Sequence, residues 1–176
     1  GVAVNLSYVQ FRDGSLERNV QQVLQQSGLP SSALELELTE SMLIGEGDDI
    51  SRQLSTIHSM GVSFAIDDFG TGYSNLGYLR RFNASRLKID KSFITALSVS
   101  QRDEPLVRAI IQMAASLGLQ SVAEGVEDEA TLNLLKQLGC DEAQGYFWSQ
   151  ALPEHELIEW LNAHNSHQEL PHSSEL

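Results

Sequence analysis

The sequence predicts an α/β fold made of parallel strand–helix units, and three observations carry that expectation. Amphipathic helical stretches alternate with short strands along most of its 176 residues. A glycine follows four of the helices, where it takes the left-handed C′ position at little steric cost. Polar side chains gather at the carboxyl ends of the strands, while one face of each strand stays apolar.

The elements follow in a regular order. A strand from Ala3 to Leu6 opens the chain, and Leu16, Val20, Val23 and Leu24 then recur at helical spacing up to Gly28. A strand from Leu34 to Leu38 leads to a helix marked by Ile50, Leu54 and Ile57, which stops at Gly61. Strands from Val62 to Ile66 and from Leu87 to Asp90 come next. Leu106, Ile110, Met113 and Leu117 mark a helix before Gly118, followed by a strand from Ser121 to Glu124. Leu134, Leu135 and Leu138 precede Gly139, and a last strand runs from Asp141 to Gln144. That makes six strands, open or closed. A (β/α)₈ barrel needs eight strands and typically about 250 residues, so a closed barrel would want about two more units.

Composition narrows the function. Asp and Glu number 24 against 11 Lys and Arg, a net charge of −13. Such a surface argues against DNA, RNA and anionic membranes as partners. A phosphate-ester substrate would need cations between itself and these carboxylates. No apolar run approaches the roughly 18 residues of a membrane span, and no secretory leader is visible. Cys140 is the single cysteine, which excludes an internal disulfide and fits a reducing, cytoplasmic compartment. With neither a CxxC motif nor a nearby His, Cys140 reads as a small buried apolar residue. Residues 1–164 read as one domain. Residues 165–176 read as a polar, non-periodic tail, expected to be disordered.

The strand ends carry the chemistry. In Leu34-Glu35-Leu36-Glu37-Leu38 the leucines face the helices, which turns Glu37 inward; the same alternation turns Asn5, Asp67 and Lys88 inward. Glu124 and Gln144 end their own strands. Six polar side chains thus converge on the carboxyl-terminal rim, where barrel enzymes keep their active sites. Taken singly, an acid at a strand end is ordinarily a helix N-cap or a solvated turn residue. Asp67-Asp68 before Phe69-Gly70 also fits a plain turn, and Lys88 a lysine paired with one carboxylate. Taken together, several carboxylates on one rim would repel one another without a cation. An amide and carboxylate oxygens are hard ligands, suited to Mg²⁺ or Mn²⁺ rather than zinc.

Six motifs then fall into a known order: Val4-Asn5-Leu6-Ser7 with Gln10-Phe11; Glu37-Leu38-Thr39-Glu40-Ser41; Asp67-Asp68-Phe69-Gly70-Thr71-Gly72-Tyr73-Ser74; Leu87-Lys88-Ile89-Asp90-Lys91-Ser92-Phe93; Ala123-Glu124-Gly125-Val126-Glu127; and Gln144-Gly145-Tyr146. Together they resemble the EAL domain family, from residue 2 to about residue 153. The resemblance implies a TIM-like (β/α)₈ barrel of the EAL type, here lacking about two N-terminal βα units. It implies a cyclic-di-GMP phosphodiesterase that opens one phosphodiester bond to linear pGpG, using two ions of Mg²⁺ or Mn²⁺. By that likeness Asn5, Glu37 and Asp67 hold one metal, and Asp67, Asp68 and Glu124 hold the other. Lys88 orients the attacking water and offsets phosphoryl charge, Gln144 and Glu127 support the site, and Asp68, Lys88 and Gln144 meet the substrate. Glu40 anchors the loop that runs from Asp68 to Ser74. A homodimer is expected, as are sensory or GGDEF regulatory domains in the parent protein; the location expected is cytoplasmic, with anchoring of the parent to the inner membrane left open.

Two departures qualify the likeness. The Glu-Ala-Leu motif that names the family is absent and is expected upstream of residue 1, together with one metal ligand and an arginine. After Gln144-Gly145-Tyr146 the family continues to a basic residue and a proline, whereas here it reads Phe147-Trp148-Ser149-Gln150-Ala151. The first departure implies that residues 1–176 are inactive by themselves. The alternatives are an inactive cyclic-di-GMP receptor, or a dimerisation module with bare sheet edges at Val2–Leu6 and near Gln144.

Overall fold

Alternation of apolar and polar residues along each strand sorts the two faces of the sheet. In the computed structural model, which describes residues 1–12, 14–43, 48–71, 83–99 and 103–165, Leu34, Leu36 and Leu38 are buried against the helices. Six strands result among the described residues: β1 Val2–Asn5, β2 Leu34–Thr39, β3 Ser63–Phe69, β4 Arg86–Ile89, β5 Gln120–Glu124 and β6 Glu142–Gln144. They form one sheet in the order β1-β2-β3-β4-β5-β6, every neighbouring pair parallel. Side chains of β2, β4 and β6 meet on its inner face, so the sheet curls into a half-barrel.

The helices of the described residues are α1 Tyr8–Arg12, α2 Leu16–Ser27, α3 Glu40–Leu43, α4 Asp48–Ser59, α5 Lys91–Val99, α6 Glu104–Leu117, α7 Glu129–Leu138 and α8 Glu154–Asn165. Gly28, Gly118 and Gly139 close α2, α6 and α7 with φ of 68°, 74° and 82°. The core lies between helices and sheet: Ile57, Val107, Ile111 and Leu135 pack over Leu36, Ile66, Leu87, Ile89 and Ala123. Each large aliphatic side chain buried there contributes about 1.5–3 kcal/mol relative to exposure.

Differences from the expected elements are local. β3 extends through Asp67 and Asp68 to Phe69, so the Asp-Asp pair belongs to a strand rather than a turn. Its register against β4 shifts between Ile66 and Phe69, and Asp68 has φ of +54°. α5 and α8 escaped the glycine pattern because neither ends on a glycine. Asn165 is the last residue of α8, and the rest of the expected tail, 166–176, lies outside the described residues, as do Gly72, Tyr73 and Ser74. Cys140 is half-buried beside the core, and burial pushes its thiol pKa up, which disfavours the reactive thiolate. No helix among the described residues is long and apolar enough to cross a membrane.

Candidate active site

β2, β3, β4 and β5 bring Glu37, Asp67, Lys88 and Glu124 to one point on the inner face. Period-2 alternation makes this possible: Glu37 lies between buried Leu36 and Leu38, Lys88 between buried Leu87 and Ile89, and Asp67 and Glu124 each follow a buried apolar residue, Ile66 and Ala123. Lys88 Nζ sits 2.8 Å from Glu37 Oε2, 3.0 Å from Asp67 Oδ1 and 2.8 Å from Glu124 Oε1. Glu37, Asp67 and Lys88 are all buried. Burial opposes the Lys88 charge, but hydrogen bonds to Glu124, Glu37 and Asp67 outweigh it and hold the ammonium pKa above the ordinary lysine value. Burial pushes the Glu124 carboxyl the other way, above the usual range, with Lys88 pulling it back and Asp67 and Glu37 adding to the rise.

The remaining predicted residues surround this centre. With its amide NH₂ turned to the carboxylates, Asn5 lies 3.2 Å from Asp67 Oδ2 and 3.3 Å from Glu37 Oε2. Gln144 Nε2 donates to Glu124 Oε1 at 2.7 Å. Asp68 donates its backbone N–H to Asp67 Oδ1 at 3.0 Å, and burial, then Asp67 and Asp90, raise its carboxyl pKa. Asp67 thus shares the Asn5 amide with Glu37 and shares Lys88 with Glu37 and Glu124. Oxygens of Asp67, Asp68 and Glu124 all fall within 4.8 Å of one another. A donor set of carboxylates and one amide fits hard divalent cations.

Glu40 lies one step behind. Its Oε2 accepts the Gly70 N–H at 3.2 Å, while its Oε1 is buried without a partner among the described residues. Glu127 is exposed and lines a separate small cavity with Ile94, Thr95, Gly125, Asp128 and Thr131. Gly145 lets the chain leave β6 flat against Val126: a Cβ there would lie 2.2 Å from the Val126 carbonyl oxygen. Val126 N–H bonds to Gln144 O at 3.0 Å, which fixes where the Gln144 side chain starts.

A second charged layer escaped the sequence reading. Arg86 Nη1 lies 2.7 Å from Glu35 Oε2, and its Nη2 lies 3.0 Å from Glu142 Oε1. Parity was the available signal: Glu35, Arg86 and Glu142 each precede a rim residue by two positions, so they share its inner face.

A parallel half-barrel with oxygen donors gathered on its carboxyl rim has the layout of the (β/α)-barrel class. The chain belongs to the EAL domain family, whose profile matches residues 1–151. It is 45% identical over 163 residues to the cyclic di-GMP phosphodiesterase NbdA of Pseudomonas aeruginosa, covering 93% of this chain and 21% of NbdA. It is 43% identical over 157 residues to the bifunctional diguanylate cyclase/cyclic di-GMP phosphodiesterase MucR of the same organism, covering 89% of this chain and 23% of MucR. The solved MucR phosphodiesterase, a c-di-GMP complex, superimposes with a TM-score of 0.84 over 89% of this chain and 64% of that one. Klebsiella pneumoniae BlrP1, solved as a manganese/cy-diGMP complex, is 29% identical with a TM-score of 0.75, over 84% of this chain and 38% of BlrP1. The chain spans about a fifth of the length of these curated relatives.

Proposed function

We propose that this chain supplies the rim of a cyclic-di-GMP phosphodiesterase, which hydrolyses one phosphodiester bond to linear pGpG. The observation that carries the reading is the Lys88 ammonium held by Glu37, Asp67 and Glu124, with Asn5, Asp68 and Gln144 around it. Relatives named as cyclic di-GMP phosphodiesterases, and one solved with manganese and cy-diGMP, support the same substrate and cofactor class.

Asn5, Glu37 and Asp67 would hold one divalent cation, and Asp67, Asp68 and Glu124 a second, with Mg²⁺ or Mn²⁺ as the fitting ions. When bound, such ions neutralise charge on the phosphoryl oxygens and lower the pKa of a water. The reaction adds water across one P–O bond: the phosphorus gains an oxygen, and the leaving oxygen takes the proton as a free hydroxyl. Lys88, kept charged, can donate to the attacking water or to a phosphoryl oxygen. Gln144 steadies Glu124, and Asp68, Lys88 and Gln144 face the substrate. Glu40 ties down the loop after β3 through Gly70, and Glu127 belongs to the supporting set although it borders a neighbouring cavity.

The protein is further proposed to act as a homodimer in the cytoplasm, under sensory or GGDEF domains of the kind that the bifunctional name of MucR suggests. The test is cyclic-di-GMP hydrolysis by the whole protein with Mg²⁺ or Mn²⁺, followed by chelation. Metal-dependent release of pGpG is expected. Nucleotide binding without turnover in either metal would overturn the enzymatic reading in favour of a receptor.

A further inference from the structure

The inner face carries two charged layers, and the lower one repeats the upper one two residues earlier on three strands: Glu35 before Glu37 on β2, Arg86 before Lys88 on β4, and Glu142 before Gln144 on β6. Arg86 spans the lower layer. It meets Glu35 at 2.7 Å on one side; on the other, Nη2 reaches Glu142 Oε1 at 3.0 Å and Nε reaches the same oxygen at 3.3 Å. None of these strands neighbours another in the sheet. The guanidinium therefore fixes distances across the lumen that the backbone ladder does not. Its planar fork suits the task, since one group can satisfy two carboxylates at once.

We infer that Arg86 is a positioning residue for the metal-binding rim: by clamping β2 and β6 to β4 it sets the separation of Glu37, Lys88 and Gln144 one layer above. The inference rests on the reading of that rim as a divalent-cation site. Glu37 would be a direct ligand, and Gln144 holds the ligand Glu124 through its amide. Groups bonded directly to a metal ligand, as Gln144 is to Glu124, typically alter metal affinity by about 10- to 100-fold when removed, and Arg86, acting through the strands, falls at the low end of that range.

The experiment measures Mn²⁺ affinity of the whole protein by calorimetry and by the electron paramagnetic resonance of free Mn²⁺, without substrate. R86M, which keeps the bulk and loses the charge, is expected to weaken Mn²⁺ binding by about tenfold. R86K, able to satisfy one carboxylate at a time, should fall between R86M and wild type. E142Q, which leaves the Glu35 arm in place, should have the smallest effect. D128A, which removes the cap of α7 away from this layer, is expected to lower stability and serves as the control for a merely destabilising change. R86M and R86K with wild-type Mn²⁺ affinity overturn the inference, as does an equal loss in D128A. Wild-type protein that binds no Mn²⁺ overturns the metal reading itself, and this inference with it.

Discussion

Lys88 reaches past an intervening strand to Glu37: their Nζ and Oε2 atoms are 2.8 Å apart although β2 and β4 are not neighbours in the sheet. The curl of the half-barrel closes that gap. The consequence is a buried cation on which three strands of carboxylates depend.

Replacing this lysine should be costly in two separable ways. K88M leaves Glu37, Asp67 and Glu124 facing one another, and breaking a buried pair in this manner costs about 3–5 kcal/mol. Added Mg²⁺ or Mn²⁺ should restore part of the loss by binding the folded state alone. Denaturant unfolding with and without metal checks both statements. Turnover should fall by about 100- to 1,000-fold even where folding is restored, as expected when one electrostatic donor is removed. Wild-type stability of K88M in chelator would contradict the account.

The Glu40 tether predicts a change in rate rather than in metal binding. E40A removes the acceptor of the Gly70 N–H and frees the start of the loop after β3. Turnover should drop by about 100-fold, the scale at which small misplacements of reacting groups act. Mn²⁺ affinity should stay close to wild type, because Glu40 is not in the oxygen cluster. E40Q, which keeps an acceptor oxygen, should retain more activity than E40A.

Gly145 allows a steric prediction. A methyl group there meets Val126 O at 2.2 Å and Val126 N at 2.3 Å, both backbone atoms that cannot swing away. G145A must therefore push the end of β6 off β5. The Gln144 to Glu124 hydrogen bond should be lost, with destabilisation of about 1–3 kcal/mol from overpacking. Thermal unfolding and metal titration of the variant should both move; a variant neutral in both would refute the contact.

Asp128 predicts a pH dependence away from the site. Its carboxylate caps α7, accepting the Thr131 N–H at 2.7 Å and the Thr131 hydroxyl at 2.8 Å. These bonds, the backbone one first, hold its pKa below the usual aspartate value. A carboxyl whose folded pKa is depressed contributes stability above its unfolded pKa, and that contribution is lost as pH falls through the folded value. D128A should lower the Tm by a few degrees at neutral pH, and the difference should shrink below about pH 4. A gap that stays constant down to the acid limit would exclude the charged cap.

Sequence reading reached some of these features and missed others for definite reasons. Asn5, Glu37, Asp67, Lys88, Glu124 and Gln144 were legible as inward rim residues, because alternation along a strand is a local property. Asp67-Asp68 was ambiguous between strand and turn, since the bulge that keeps both in β3 depends on pairing with β4. Glu127 was expected beside the rim on likeness alone, and the turn after β5 carries it toward the cavity by Ile94 and Thr131.

By itself the sequence determined the alternation of strands and helices, the glycine stops of α2, α6 and α7, and the face that each strand residue occupies. These follow from periods of 3.6 and 2 and from the left-handed freedom of glycine, all of which act within a few residues. The tertiary structure alone decided which inward residues meet: that Lys88 serves three acids at once, that Asn5 reaches Asp67 and Glu37 while Gln144 reaches Glu124, and that Arg86 spans Glu35 and Glu142 beneath them. Such meetings depend on register and curvature summed over several strands, and no local pattern encodes that sum.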